Sequence, residues 1–273
     1  MDRQPVVAGS FYPGDSQALS RHIRSYLTAD QPAFHAQTIL TMLPHAGYIY
    51  SGAVAGTTLA QANLPATVIL LGPSHTGDGA ALGLWPDGSW LFPGGDLTVD
   101  QSLATTILAA CPRIQADYTS HLREHSLEVQ IPFLHAVNPH MQILPITIAD
   151  PRLDILLEVG RALAQVISKA SQPIGLLVSS DMSHYISAAQ AKVLDHLAIQ
   201  AITALSPEQL YTTVRDNRIS MCGVLPMTAG LTAACELGAE RARLIQYTTS
   251  GEVTGDDDQV VGYAGMVVEG RWF

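Results

Sequence analysis

Four stretches of this 273-residue sequence set reactive side chains against apolar runs. "TILTMLPHAG" delivers His45 after a strand-like segment, and "TVILLGPSHTG" delivers His75 in the same way. "IGLLVSSDMSHY" ends in Asp181 and His184, and "RISMCGVLPM" sets Cys222 just ahead of an apolar helix. Neutral imidazole is the commonest side-chain ligand for transition metals, and it also serves as a general base near neutral pH. In open α/β sheets, ligands bind beyond the carboxyl ends of the strands, which is where these histidines fall. Each one taken alone is also compatible with an ordinary hydrogen-bonded loop histidine. No local metal motif such as HExxH occurs, so any site must be assembled over long range. Cys222 has two readings. It is a small buried hydrophobe, or a thiolate whose pKa a helix N-terminus lowers. Cys111 and Cys235 read as structural.

Other polar clusters carry less. "REHSLE" (residues 123–128) packs opposite charges around His125, and reads as a solvated helix start with acidic residues near the positive dipole end. Its alternative is a histidine that contacts substrate or supports another site residue from behind. "GDDDQ" at 255–259 lacks the EF-hand pattern and reads as a solvated loop. "AGSFYPGD" is a turn or a lid lining a pocket, and does not match a phosphate-binding P-loop.

These positions need a frame. Apolar strands expected at 38–43, 67–72, 141–148, 174–180, 243–249 and 260–268 alternate with helices expected at 15–28, 100–110, 151–170, 187–204, after Ser206, and at 224–237. Asp15, Asp100 and Ser206 are cap candidates. Leu127, Ile131 and Leu134 share a helical face that Pro132 complicates. "LWPDGSWLFPGG" (84–95) suggests a hairpin. The pattern predicts an α/β fold: one layered domain over residues 1–273, with a central mixed sheet flanked by helices.

Composition excludes several classes. The chain is 47% hydrophobic and 14% charged, with a net charge of −10, so no basic footprint for nucleic acid is visible. Three cysteines without CxxC spacing argue against a disulfide scaffold and for a reduced, cytoplasmic setting. No apolar run of transmembrane length is present, and the first residues lack a signal-peptide pattern.

Six ordered motifs, "AGSFYPGD", "PHAGYIYSG", "LGPSHTG", "EHSLEVQIPFL", "SSDMSHY" and "MCGVLPM", together resemble the Memo family, whose prokaryotic members are also called AmmeMemoRadiSam system protein B. The resemblance spans nearly the whole chain. It implies a fold similar to class III extradiol dioxygenases, which hold non-haem Fe(II) with two histidines and a carboxylate. Carried over by motif, it implies metal ligands His45, His75 and Cys222, a base at His184 with Asp181 to orient it, and His125 facing the same pocket. Phe11, Tyr12 and Tyr48 are the expected further substrate contacts, and Phe11 stands where some relatives have Trp. The implied cofactor is one transition metal ion. Iron is the first expectation. Copper or zinc is the alternative, because a soft thiolate replaces a hard carboxylate.

Three functions follow as expectations. One is a metal-dependent, dioxygenase-like redox enzyme acting on an unidentified small molecule. A second is a non-catalytic adaptor whose vestigial pocket binds a phosphorylated or otherwise anionic peptide. A third is an accessory role beside radical-SAM and AMMECR1-like proteins. The chain has no CxxxCxxC cluster motif of its own.

Overall fold

The computed structural model describes residues 1–27 and 37–271. Residue 28, the expected end of the first helix, lies outside them. The elements run α1 (Ser16–Tyr26), β1 (Gln37–Leu43), α2 (Tyr48–Ala60), β2 (Thr67–Gly72), β3 (Leu82–Leu84), β4 (Ser89–Phe92), β5 (Gly95–Val99), α3 (Gln101–Ala110), β6 (Gln115–Ala116) and α4 (Thr119–Leu122). Then come α5 (Ile131–Val137), β7 (Gln142–Ile148), α6 (Leu153–Ile167), β8 (Ile174–Ser179), β9 (His184–Ile186), α7 (Ala188–Thr203), α8 (Pro207–Asp216), α9 (Val224–Glu236), β10 (Ala239–Thr249), α10 (Gly251–Thr254) and β11 (Val260–Gly270).

The main sheet has the order β10-β11-β1-β8-β2-β7-β3-β6. Its centre, β1-β8-β2-β7, is parallel throughout. β10 and β11 join antiparallel on one side and β3 joins antiparallel on the other, so the sheet is mixed as expected. Leu40, Met42, Val68, Ile69, Leu176 and Leu177 are fully buried on both faces. That explains why these strands read as continuous apolar runs without alternation. Helix α9 covers β8, β1 and β2, while α2 covers β11, β10 and β1.

Strand order decides the site. β8 lies between β1 and β2, and all three run the same way. Their carboxyl ends therefore lie side by side at one edge. They deliver His45, Ser179–Asp181 and His75 together from positions far apart in sequence.

Several expectations held in detail. Asp15 and Asp100 accept hydrogen bonds from the amides of Ala18 and Leu103, each capping its helix. Pro132 lies in the first turn of α5, where a missing N–H costs nothing, and Leu127, Ile131 and Leu134 are all buried. Others are corrected. Ser206 occupies the cap position of α8 but its side chain makes no cap bond; Pro207 starts that helix. The hairpin is β4–β5 (89–99), later than the expected 84–95, because Pro93-Gly94 makes its turn with Gly94 at φ 111° and β3 leaves to pair with β7.

Helix α2 was not expected at all. Its run "YIYSGAVAGTT" contains two glycines and several β-branched or aromatic residues, a poor helical composition. Packing overrides propensity there. Gly52 and Gly56 face Tyr26 of α1, and a Cβ on Gly56 would collide with the Tyr26 backbone carbonyl. Alanine at position 56 raises intrinsic helix propensity, yet Gly56→Ala is expected to destabilise the protein by about 1–3 kcal/mol through overpacking. Urea unfolding at neutral pH checks the sign: a stabilised variant contradicts the close α1–α2 approach.

Candidate functional site

At the carboxyl edge of the sheet, the His45 and His75 ring centroids lie 5.2 Å apart, edge to face. His125 stacks on His75 at 4.7 Å and meets His45 at 5.5 Å. One nitrogen from each of the three imidazoles lies within 4.8 Å of the others. His45 is buried, and the site opens toward solvent past His75 and His125.

Each key ring is held through the nitrogen that faces away. His45 Nδ1 lies 2.9 Å from Ser179 Oγ. That hydroxyl donates its own proton to the Ser126 carbonyl at 2.6 Å, so it accepts from His45. Nδ1 therefore carries the hydrogen and Nε2 keeps its lone pair. His75 Nδ1 lies 2.9 Å from Glu124 Oε1, an acceptor only, which leaves Nε2 of His75 in the same state. Burial, reinforced by the neighbouring His125 and His75, holds the His45 pKa well below its usual value. Burial also dominates the lowering at His125. At His75 burial is outweighed by the Glu124 hydrogen bond and charge, and its pKa rises. Glu124 responds in kind. Burial opposes its ionisation, but His75 and the amides of His75 and Ser126 hold it down at about 2.

Cys222 comes from the loop before α9. Gly223 allows that loop to press against Ser180, where a side chain would collide, and its amide donates to Ser180 Oγ at 3.1 Å. Cys222 Sγ lies 3.2 Å from His45 Nε2 and accepts the Asp181 amide at 3.2 Å. Of its two readings, the one with a thiol pKa lowered at a helix N-terminus is corrected: burial first, then the Asp181 charge, push the thiol well above its ordinary value.

Asp181 is buried, but it does not orient His184. Its Oδ1 accepts the His45 amide at 2.7 Å, and the Ala46 amide also bonds to it. Burial, only partly offset by these amides, pushes its pKa up to about 7. His184 is oriented by Ser220, whose carbonyl takes the Nδ1 proton at 3.0 Å while its hydroxyl accepts the His184 amide at 2.7 Å. That leaves Nε2 of His184 as the basic nitrogen. The next residue, Tyr185, is exposed with φ 57°, an outlier for a bulky residue.

Of the four expected substrate contacts, two reach the site's surroundings. His125 belongs to the imidazole group itself, and Phe11 lies against it with ring centroids at 4.7 Å. Tyr12 and Tyr48 are corrected. Both are buried, and their hydroxyls are spent on Glu128 Oε1 and on the Val129 carbonyl.

"REHSLE" is the largest correction. Glu124, Ser126 and Glu128 are buried, not solvated. Arg3 threads beneath this segment at 1% exposure. Its guanidinium donates to the His121 and Glu124 carbonyls and to Glu128 Oε2, and lies over the Trp90 ring. Glu128 also accepts the amides of Val6 and Val7. This buried pair ties the N-terminal segment carrying Phe11 to the segment carrying Glu124 and His125. The available signal was the clustering of two glutamates amid apolar residues.

A family model for Memo-like protein matches residues 3–267. A MEMO1 family protein of Aquifex aeolicus is 38% identical over 266 residues, covering 97% of this chain and 98% of that protein. One of Methanopyrus kandleri is 38% identical over 282 residues, covering 98% and 99%. The crystal structure of an uncharacterised protein from Escherichia coli K12 superposes with a TM-score of 0.60 at 12% identity, covering 85% of this chain and 100% of that one, which shows a shared fold.

Glu128→Gln leaves Arg3 as a buried, unpaired cation. It is expected to cost about 3–5 kcal/mol of stability. Chemical denaturation checks this, and a loss below about 1 kcal/mol contradicts the role assigned to the pair.

Proposed function

Since the chain belongs to the Memo-like protein family, we propose that the strand-end site binds one transition metal ion through His45, His75 and Cys222, with His125 beside them, and supports metal-dependent redox chemistry on a small molecule. One observation carries the reading: three imidazoles converge, and at least two point lone pairs inward because their outer nitrogens are tied to Ser179 and Glu124. Converging lone pairs repel one another unless a cation lies between them. The donor set fits a borderline or soft ion. Imidazole suits zinc, copper and iron, and a thiolate shifts preference toward Zn(II), Cu(I) or thiolate-bound iron. When bound, such an ion supplies Lewis-acid or redox chemistry to a substrate oxygen.

The chain's own residues supply the rest. His184 holds its Nδ1 proton on the Ser220 carbonyl, so its Nε2 takes a proton from a substrate hydroxyl. Burial keeps the His184 pKa below its usual value, which holds the ring neutral and able to accept at neutral pH. Phe11, packed on His125, covers one side with an apolar ring and limits water there. Asp181 fixes the turn that carries His45 through two amides. An anionic ligand fits less well. The lone pairs, the ionised Glu124 and a net charge of −10 all disfavour it.

Protein purified without chelator under reducing, oxygen-free conditions is expected to hold close to one equivalent of iron, copper or zinc by elemental analysis. His45→Ala and Cys222→Ser are each expected to lower that stoichiometry at least several-fold. Full metal content in both variants rejects the assignment. A metal-free wild type that binds a phosphotyrosine peptide through these residues favours the adaptor reading instead.

A further inference from the structure

We propose that Glu124 and Ser179 are positioning residues that decide which nitrogen of His75 and of His45 carries the proton, one with an anionic anchor and the other with a neutral one. The proposal rests on the metal reading above for its purpose, but its geometry stands by itself.

Glu124 grips the His75 residue twice. Oε1 accepts Nδ1–H at 2.9 Å, and Oε2 accepts the backbone amide of the same residue at 2.5 Å. The Ser126 amide is a third donor to the carboxylate, reaching Oε1 at 2.9 Å. His125 Nδ1 lies 3.5 Å from that oxygen, too far for a hydrogen bond of ordinary strength. The carboxylate is thus pre-oriented by backbone groups, and its remaining capacity goes to one imidazole. A carboxylate behind a ligating histidine fixes its tautomer and raises its basicity.

Ser179 does the same for His45 without charge. Its proton goes to the Ser126 carbonyl, and Gln130 Nε2 donates to its oxygen at 2.9 Å. Gln130 is itself anchored by a second N–H on the Pro44 carbonyl, one residue before His45. Every direction around the hydroxyl is assigned, so it can only accept from Nδ1. Both anchors draw on residues 124–130. Glu124 is used directly, while Ser126 and Gln130 act through Ser179. One short segment therefore sets the proton positions on two rings that arrive from different strands.

The asymmetry has a consequence. The charged anchor makes His75 the more electron-rich donor, and the neutral anchor leaves His45, nearest the thiol, the less basic one. Long-range ¹H–¹⁵N correlation spectra of uniformly labelled, metal-free protein are the direct test. In the wild type both His45 and His75 are expected as Nδ1–H tautomers. Glu124→Gln, which keeps shape but removes charge, is expected to disturb the His75 signature and leave His45 unchanged; Ser179→Ala is expected to do the reverse. In a chelator competition with Zn(II), each variant is expected to bind about 10–100-fold more weakly than wild type. An Nε2–H tautomer at either residue in the wild type overturns the proposal even if a variant fails to fold. Wild-type tautomers and Zn(II) affinity in both variants overturn it equally. Loss of Zn(II) binding in His45→Ala together with wild-type behaviour of Glu124→Gln and Ser179→Ala sinks this inference alone. Nδ1–H tautomers in a wild type that takes up no Zn(II) sink the metal reading and leave the positioning assignment standing.

Discussion

The parallel order β1-β8-β2 is the constraint on which everything at the site depends. Adjacent strands in a sheet lie about 4.8 Å apart, so two strands separated by a third are roughly 10 Å apart. Two imidazoles leaning inward from the outer pair meet over the middle strand, and the observed 5.2 Å between ring centroids is what that geometry allows. The middle strand then has to end in something small that can hydrogen-bond. Serine at 179 satisfies both demands, and it is fully buried. A large residue at 179 would push the rings apart; an apolar one would leave His45 Nδ1 and Gln130 Nε2 without their acceptor.

The electrostatics follow from burial combined with selective pairing. A histidine buried without an anion stays neutral, and this is the state of His45. One paired to a buried carboxylate has its pKa raised, as His75 does against the opposing effect of burial. Among the described residues, the carboxylate pairing directly with a ring in this group is Glu124, and it is kept ionised by amides as well as by His75. Asp181, close by, lacks a cationic partner in contact. Its two amide donors do not overcome desolvation, so it titrates near neutrality, unlike Glu124. Two buried acids within one small site thus differ because one is hydrogen-bonded to an imidazole, while the other accepts only backbone amides and feels His75 from farther off.

The fold was largely legible because its parallel strands are apolar on both faces, a pattern that burial imposes and that survives without any knowledge of neighbours. What escaped was set by neighbours. Helix α2 has weak intrinsic propensity and exists because its glycines let α1 approach. The polar residues of 124–128 look like a solvated helix start, since charge in a sequence normally means solvent. Their partner, Arg3, is more than a hundred residues away, and nothing local announces that it enters the core. The histidines were legible by their place at strand ends. Their supporting residues were not, because a serine ending a strand and a glutamate starting a loop are commonplace in isolation. Tyr12 and Tyr48 erred in the opposite sense. Aromatics beside a site invite a substrate role, but their hydroxyls were needed inside to satisfy Glu128 and a carbonyl.

Cys222 is where the two descriptions of the site converge. Desolvation and Asp181 hold its proton firmly, and the nearest acceptor is the inward lone pair of His45 at 3.2 Å. That lone pair faces inward only because Ser179 occupies the other nitrogen with a hydrogen bond. One proton therefore lies between sulfur and nitrogen, in the place where both atoms would otherwise be free to ligate. Ligation by a thiol requires its deprotonation, so a cation and this proton compete for the same pair of atoms. The raised thiol pKa and the convergent lone pairs are thus consistent with each other. The hydrogen bond between Cys222 and His45 therefore marks the thiol proton that ligation has to displace.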